Sequence, residues 1–498
     1  MNIEDKIRVI DAWEEKCAAY SFAYNLISVD SNNNPPSDAL YRRTKLQSIL
    51  TGESFSVFND SKIYELLKEL EKEELDAYNK RRVSLLIKRL EKTLLVSKEY
   101  YVEYHMVLST SITKWLKYKN RSDWKSYAPY LRDLIKVSKE LNKHRNIEGN
   151  LYDALLNDHE EGWNTRRYDE FFDEVKRELK PLLDTILKSK DKDDSFLHKK
   201  YDVDTQRKFM KEILDYIGFN DNWVKISESE HPLTTTLCRN DIRFTTKYIE
   251  DDISAAILST MHEAGHAYFN HQIDEKYDGS VIAKSIGAAT HESQSRFSEN
   301  HIGKSKAFWK VNYPKLQEYF EDELGGVSLE EFYKAITRVK PSLVRMQADE
   351  ITYPFHIMIR YELEKMIFND EIDVMDLEDA WNEKYKEYLG IDVPNAKEGI
   401  LQDMHWPYAY FGYFPTYALG SAFAAQFYHQ LEKEKDVEEL LLNNKYVEIM
   451  DWLKVKVHHY ANMKSGDEIL KEVTGEWFNS SYYINYLKDK YQNIHVKK

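Results

Sequence analysis

Between residues 60 and 120 the apolar side chains recur three and four apart: Ile63, Leu66, Leu67 and Leu70, then Val83, Leu86, Ile87, Leu90 and Leu94. On an α-helix this spacing gathers them along one face, whereas on a strand it scatters them over both. Residues 123–187 continue in the same manner, and only 16 glycines and 11 prolines interrupt all 498 residues. A mainly α fold follows, because few positions break a helix. "DSNNNPPS" (30–37) reads as a loop, and "KSKDKDDS" (188–195) as a charged surface turn rather than a linker.

Several classes are disfavoured by composition. The formal net charge of -15 opposes binding to phosphate backbones, so no nucleic-acid partner is expected. Cys17 and Cys238 are the two cysteines, which excludes a disulfide framework and favours a reducing compartment. The opening "MNIEDKIRVIDAW" lacks the apolar core of a signal peptide, and no apolar run approaches the ~20 residues of a membrane helix. The expectation is a cytoplasmic protein with no membrane partner.

One stretch alternates instead. In "DIRFTTKYI" (241–249), Ile242, Phe244, Thr246 and Tyr248 alternate with Arg243, Thr245 and Lys247, the period of a strand with one buried face. Asp251 or Asp252 then caps a helix carrying "HEAGH" (262–266). An exposed strand edge beside such a helix can hold an extended peptide through main-chain hydrogen bonds.

His262 and His266, four apart, share one helix face and can grip one ion, while Glu263 is turned roughly 100° away. It is poorly placed as a ligand and well placed to take a proton from an attacking water. Gly265 costs roughly 1 kcal/mol in a helix interior, which predicts a close neighbour there. The competing reading is two surface histidines that happen to fall four apart. A third ligand comes from "GAATHESQSRFSEN" (287–300), read as a second helix with Thr290 as a possible cap. Glu292 is the first candidate, with Glu299 and His291 as alternatives. Further on, Arg345, Asp349 and Arg360 stand in a helical context, and "GILQDMHWPYAYFGYFPTYALG" (399–420) brings His405, Tyr413 and Tyr417.

In this order the motifs resemble the thermostable metallocarboxypeptidase family of the carboxypeptidase Taq type. That family's HPF appears as "HPL" at 231–233 and its DxRxT as "DIRFT" at 241–245. Its HExxH is "HEAGH", its HES/GQ is "HESQ" at 291–294, and its arginine motif is "RMQAD" at 345–349. GxxQDxHW stands as "GILQDMHW" at 399–406; "GYFPTY" (412–417) and "YDALLNDHEEGW" (152–163) also look familial. Leu233 replaces the usual phenylalanine and Glu161 a common proline.

The resemblance implies one Zn2+ per chain, held by His262, His266 and Glu292, with Glu263 as general base and Co2+ as a substitute metal. It implies a single domain over 1–498, saddle-like, with a long central groove and a small β-sheet beside the zinc helix. Residues 1–190 then form a groove wall and lid, and 191–498 the catalytic core. It also implies a homodimer that releases C-terminal residues from peptides with broad specificity, proline being disfavoured.

Within that reading Tyr417, with His405 as its partner, donates to the oxyanion, and Tyr413 is the competitor. Arg345 is the first choice for the substrate's free carboxylate and Arg243 the second; Arg239, Arg296 and Arg360 remain alternatives. His231 and Tyr413 complete the candidate substrate contacts. Two other functions stay open: a helical zinc endo-oligopeptidase, and a non-catalytic helical scaffold.

Overall fold

The computed structural model describes residues 1–32, 36–143, 145, 149–189, 193–229, 232–284 and 286–496. The chain is mainly helical, with one three-stranded sheet among the described residues. Long helices open it: Ile3–Asn32, Leu40–Phe58, Ala77–Leu94 and Lys98–Lys119. The first runs into the predicted loop, whose residues 33–35 lie outside the described residues. Residues 190–192 of the charged turn also lie outside them. The periodic side chains Ile63, Leu67, Leu70, Val83, Leu86, Ile87 and Leu90 are buried, as their spacing requires. No helix is long and apolar enough to cross a membrane, among the described residues.

The sheet has the order β1-β3-β2, where β1 is Val224–Glu228, β2 is Thr234–Cys238 and β3 is Asp241–Thr246. β1 runs parallel to β3 and β2 antiparallel, with a register shift between Thr236 and Cys238. β3 is shorter than its alternation suggests and ends at Thr246, so Tyr248 lies outside the sheet. Ile242 and Phe244 face the core, and Thr245 on the opposite face is buried as well, its hydroxyl oxygen accepting from Ser229 Oγ and the amide of Leu233.

Asp252 caps the next helix, Ile253–Gln272, by accepting from the amides of Ser254 and Ala255. Most of this histidine helix is buried, Ala256, Ile257, Met261, Ala264 and Ala267 among the packed residues, and a partly exposed stripe along it is polar: Ser259, His262, His266 and Asn270. Against it packs the glutamate helix, Ala288–Arg296, followed by a π-helical turn, Phe297–Gly303. On the glutamate helix's other side lies the small-residue helix, Pro415–Glu434, where Ala418, Gly420, Ser421 and Ala422 are buried. Three helices thus meet at the centre with little side-chain bulk between them.

Candidate active site

The close approach begins at Gly265. A β-carbon there would stand 2.1 Å from the carbonyl oxygen of Gln294, so only glycine lets the histidine helix lie against the glutamate helix. Gly420 does the same from the other side, where a β-carbon would be 2.8 Å from Cβ and Cγ of Glu292.

The result is a three-ligand cluster. His262, His266 and Glu292 bring their ligand atoms within 4.8 Å of one another. Oε2 of Glu292 is 3.5 Å from Nε2 of His266 and 3.8 Å from Nε2 of His262. Two imidazoles and a carboxylate are the donor set of zinc hydrolases, and bonds of ~2.0–2.2 Å to a shared ion suit these separations.

Neighbouring side chains fix each ligand. Nδ1 of His262 lies 2.9 Å from Oε2 of Glu299, which also accepts from Arg296, while Lys304 donates to Oε1 at 2.9 Å. An imidazole held this way has its Nε2 free to coordinate a metal ion. Glu299 therefore sits behind His262 rather than within the three-residue cluster. The His291 ring stacks on that of His266 at 4.3 Å, and its Nε2 faces Asn270. Oε1 of Glu292 accepts from Arg296 Nε at 2.7 Å, leaving Oε2 to face the histidines. Burial opposes the charge of Glu292, yet the Arg296 guanidinium and the two imidazoles hold its carboxyl well below the usual range.

Thr290 is not the cap of the glutamate helix: it sits in the first turn, and the N-terminal residue Gly287 supplies no side chain. Glu160 does that work instead. Its carboxylate accepts from the amides of Ala289 (2.8 Å) and Thr290 (3.1 Å) and from the Thr290 hydroxyl. Sequence reasoning missed this contact, although Glu160 lies in the quoted 152–163 motif. Glu161, in the place of the usual proline, is held by Arg81 and Lys88.

Glu263 is buried, and Thr234 of β2 donates its hydroxyl to Oε2 at 2.5 Å, which orients the carboxylate beside the cluster. Only its place next to the HPL motif hinted at Thr234. Nearby, Nε2 of His405 is 3.0 Å from the Tyr417 hydroxyl, and the Tyr413 and Tyr417 rings meet edge to face at 5.3 Å. Burial pushes His405 down to about 3, so its ring is neutral at pH 7.

Arg345 stands in a three-residue 3-10 turn, Arg345–Gln347, not in a helix, because "TYP" delays the next helix to Tyr353–Phe368. Its guanidinium lies 4.7 Å from the Tyr417 ring centroid, and Nε donates to Asp403. Arg360 pairs with the same Asp403 at 2.6 Å. Asp349 accepts from the amides of Ile351 and Thr352, which fixes the start of that helix. Arg243 is paired with Asp241, and Arg239 donates to the carbonyl of Ile273. His231 lies outside the described residues. A cavity of about 950 Å3 borders this region, lined among others by Asn25, Phe55, Thr236 of the β2 edge, Asn270 and His291.

A family model described as carboxypeptidase Taq (M32) metallopeptidase matches residues 10–491. Carboxypeptidase 1 of Bacillus subtilis is 37% identical over 486 residues, 97% of each chain. Thermostable carboxypeptidase 1 of Thermus thermophilus is 36% identical over 416 residues, 81% of each. The crystal structure of an M32 carboxypeptidase from Deinococcus radiodurans superposes with a TM-score of 0.95 at 28% identity, covering 99% of this chain and 100% of that one.

Proposed function

From the premise that this chain belongs to the carboxypeptidase Taq (M32) metallopeptidase family, we propose that it is a zinc metallocarboxypeptidase. It releases single C-terminal residues from peptides, with broad specificity and little activity toward proline. The observation that carries the reading is the convergence of His262, His266 and Glu292 within 4.8 Å, beside a Glu263 oriented by Thr234.

His262, His266 and Glu292 hold the metal. Zinc, when bound, supplies Lewis acidity that brings the pKa of water to about 7 and polarises a carbonyl. Glu263 removes the proton of the attacking water and returns it to the leaving amine. Its Oε2 is taken by Thr234, which leaves Oε1 for that transfer.

Tyr417 donates to the oxygen of the tetrahedral intermediate. Among the described residues Nδ1 of His405 is buried without a partner, which favours the tautomer with the proton on Nε2, since a bare acceptor costs less than a bare donor. That proton is given to the Tyr417 oxygen and frees the tyrosine's own hydrogen. Tyr413 is the alternative donor. Arg345 binds the terminal carboxylate, with Arg243 as the second choice and His231 as a substrate-side contact. The cavity along β2 holds the chain on the N-terminal side of the cleaved bond.

The reading extends to the whole protein. Residues 1–190 wall and cover a core of 191–498 within one domain, two copies form a homodimer, and the enzyme is cytoplasmic. One zinc is bound per chain, with cobalt as a substitute. The acidic chain takes no nucleic acid.

An N-blocked peptide and its C-terminal amide, each incubated with the zinc-loaded protein, test the reaction class. The free acid is expected to be shortened much faster, and Glu263→Gln to lower kcat by roughly 10²–10⁴-fold with zinc retained. Equal cleavage of acid and amide turns the reading into the endo-oligopeptidase. No stoichiometric zinc and no loss on Glu263→Gln turns it into the scaffold.

A further inference from the structure

We propose that Tyr353 is a second substrate-binding residue, whose hydroxyl donates to the same terminal carboxylate that Arg345 receives. This rests on the carboxypeptidase reading above and names a group that reading does not use. Tyr353 opens the helix Tyr353–Phe368 and is buried.

Hydrogen-bond accounting leads to it. The Tyr353 oxygen accepts from Nη2 of Arg296 at 2.7 Å and from Nη1 of Arg345 at 3.5 Å. A guanidinium only donates, so both contacts use lone pairs of the oxygen. The hydroxyl hydrogen remains, and among the described residues no carboxylate or carbonyl oxygen accepts it. A buried donor with no acceptor is costly, and an arriving carboxylate oxygen satisfies it.

Charge accounting points to the same place. Asp403 is the one carboxylate paired with either Arg345 or Arg360, among the described residues. Two buried guanidiniums thus share a single negative charge. The other partners of Arg360 are neutral: the carbonyl of His356 and the hydroxyl of Tyr385. One unit of positive charge is left beside the Tyr353 hydroxyl, and in a buried site it draws an anion.

The position also suits the reaction. Arg296 joins the Tyr353 hydroxyl to Oε1 of Glu292, so the donor stands one guanidinium away from a metal ligand. Arg345 in turn lies against the Tyr417 ring. A carboxylate between Arg345 and Tyr353 therefore places the end of the peptide beside the group assigned to the oxyanion. Arg296 is a positioning residue in this arrangement: it orients the tyrosine and the ligand glutamate together.

The test is Tyr353→Phe, assayed on the N-blocked peptide and its amide, with zinc content measured on the same preparations. The preference for acid over amide is expected to fall about ten- to a hundredfold, with the loss mainly in KM. Zinc content is expected to stay at the wild-type level. A second readout needs no turnover: an N-acetyl amino acid raises the melting temperature of the zinc-free wild type, its amide does not, and the variant loses that shift. If the wild type prefers the acid and the variant keeps that preference, or loses acid and amide cleavage equally, Tyr353 has no such role although the carboxypeptidase reading stands. If the wild type shows no preference, the carboxypeptidase reading falls first.

Discussion

Glu160 shows how much one side chain can decide from a distance. It is 1% exposed and takes three donors at the N-terminus of the glutamate helix, which has no cap of its own. Burial outweighs those donors and lifts its carboxyl from 4.5 up to about 7, with Asp467 adding to the rise. The fold therefore binds this proton more tightly than the unfolded chain does. Its stabilising effect is full below pH ~4.5 and is lost as pH climbs through about 7. Glu160→Gln mimics the protonated form and removes that dependence. In urea unfolding of the zinc-free protein with chelator present, the balance between wild type and variant is expected to move toward the variant by on the order of a few kcal/mol between pH 5 and pH 7.5. A balance that does not change with pH contradicts the account.

At the scale of elements, the cluster exists because three helices touch at backbone distance. Gly265→Ala ought to help an isolated helix by roughly 1 kcal/mol. Here the added methyl meets the main chain of Gln294 and Ser295, which cannot rotate away. A net loss of about 2–3 kcal/mol is expected, together with at least tenfold weaker zinc binding as His266 and Glu292 separate. Urea unfolding with and without zinc measures both, and a stabilised variant with unchanged zinc affinity rules the packing account out.

The same elements show what local pattern can carry. Leu67, Leu86 and Leu90 announced their helices because burial repeats every three or four residues. His262 and His266 announced the metal face because they stand one turn apart. Gly265 announced a close neighbour, and the glutamate helix is that neighbour. β1, "VKISE", alternates over only four residues, and β2, "TTTLC", does not alternate at all, so both are too short or too irregular to stand out as strands. The contacts of Thr234 with Glu263, of Glu160 with Thr290 and of Tyr353 with two arginines join distant segments. Long-range partners of that kind leave no mark in a local window.

Across the whole molecule, the N-terminal helices do more than wall a cavity. Trp115 Nε1 donates to the carbonyl of Leu401 at 3.0 Å and Lys119 to that of Gln402 at 2.7 Å. Both carbonyls belong to the loop that presents Asp403 and His405. Glu364, buried in the helix behind it, accepts from Trp406, Tyr152 and the amide of Gly412. The loop that carries Asp403 and His405 is therefore fastened from residues 115, 119 and 152 as well as from the core. Arg81 ties the same N-terminal region to the carbonyl of Asn462 and to Glu161.

The most direct measurement is a zinc titration of the metal-free protein, with mass spectrometry of a peptide of known sequence at each step. Activity is predicted to rise in proportion to added zinc, to level off at one ion per chain, and to yield products shortened one residue at a time from the C-terminus. Activity that is indifferent to zinc, or fragments cut at internal bonds with both ends intact, would contradict it.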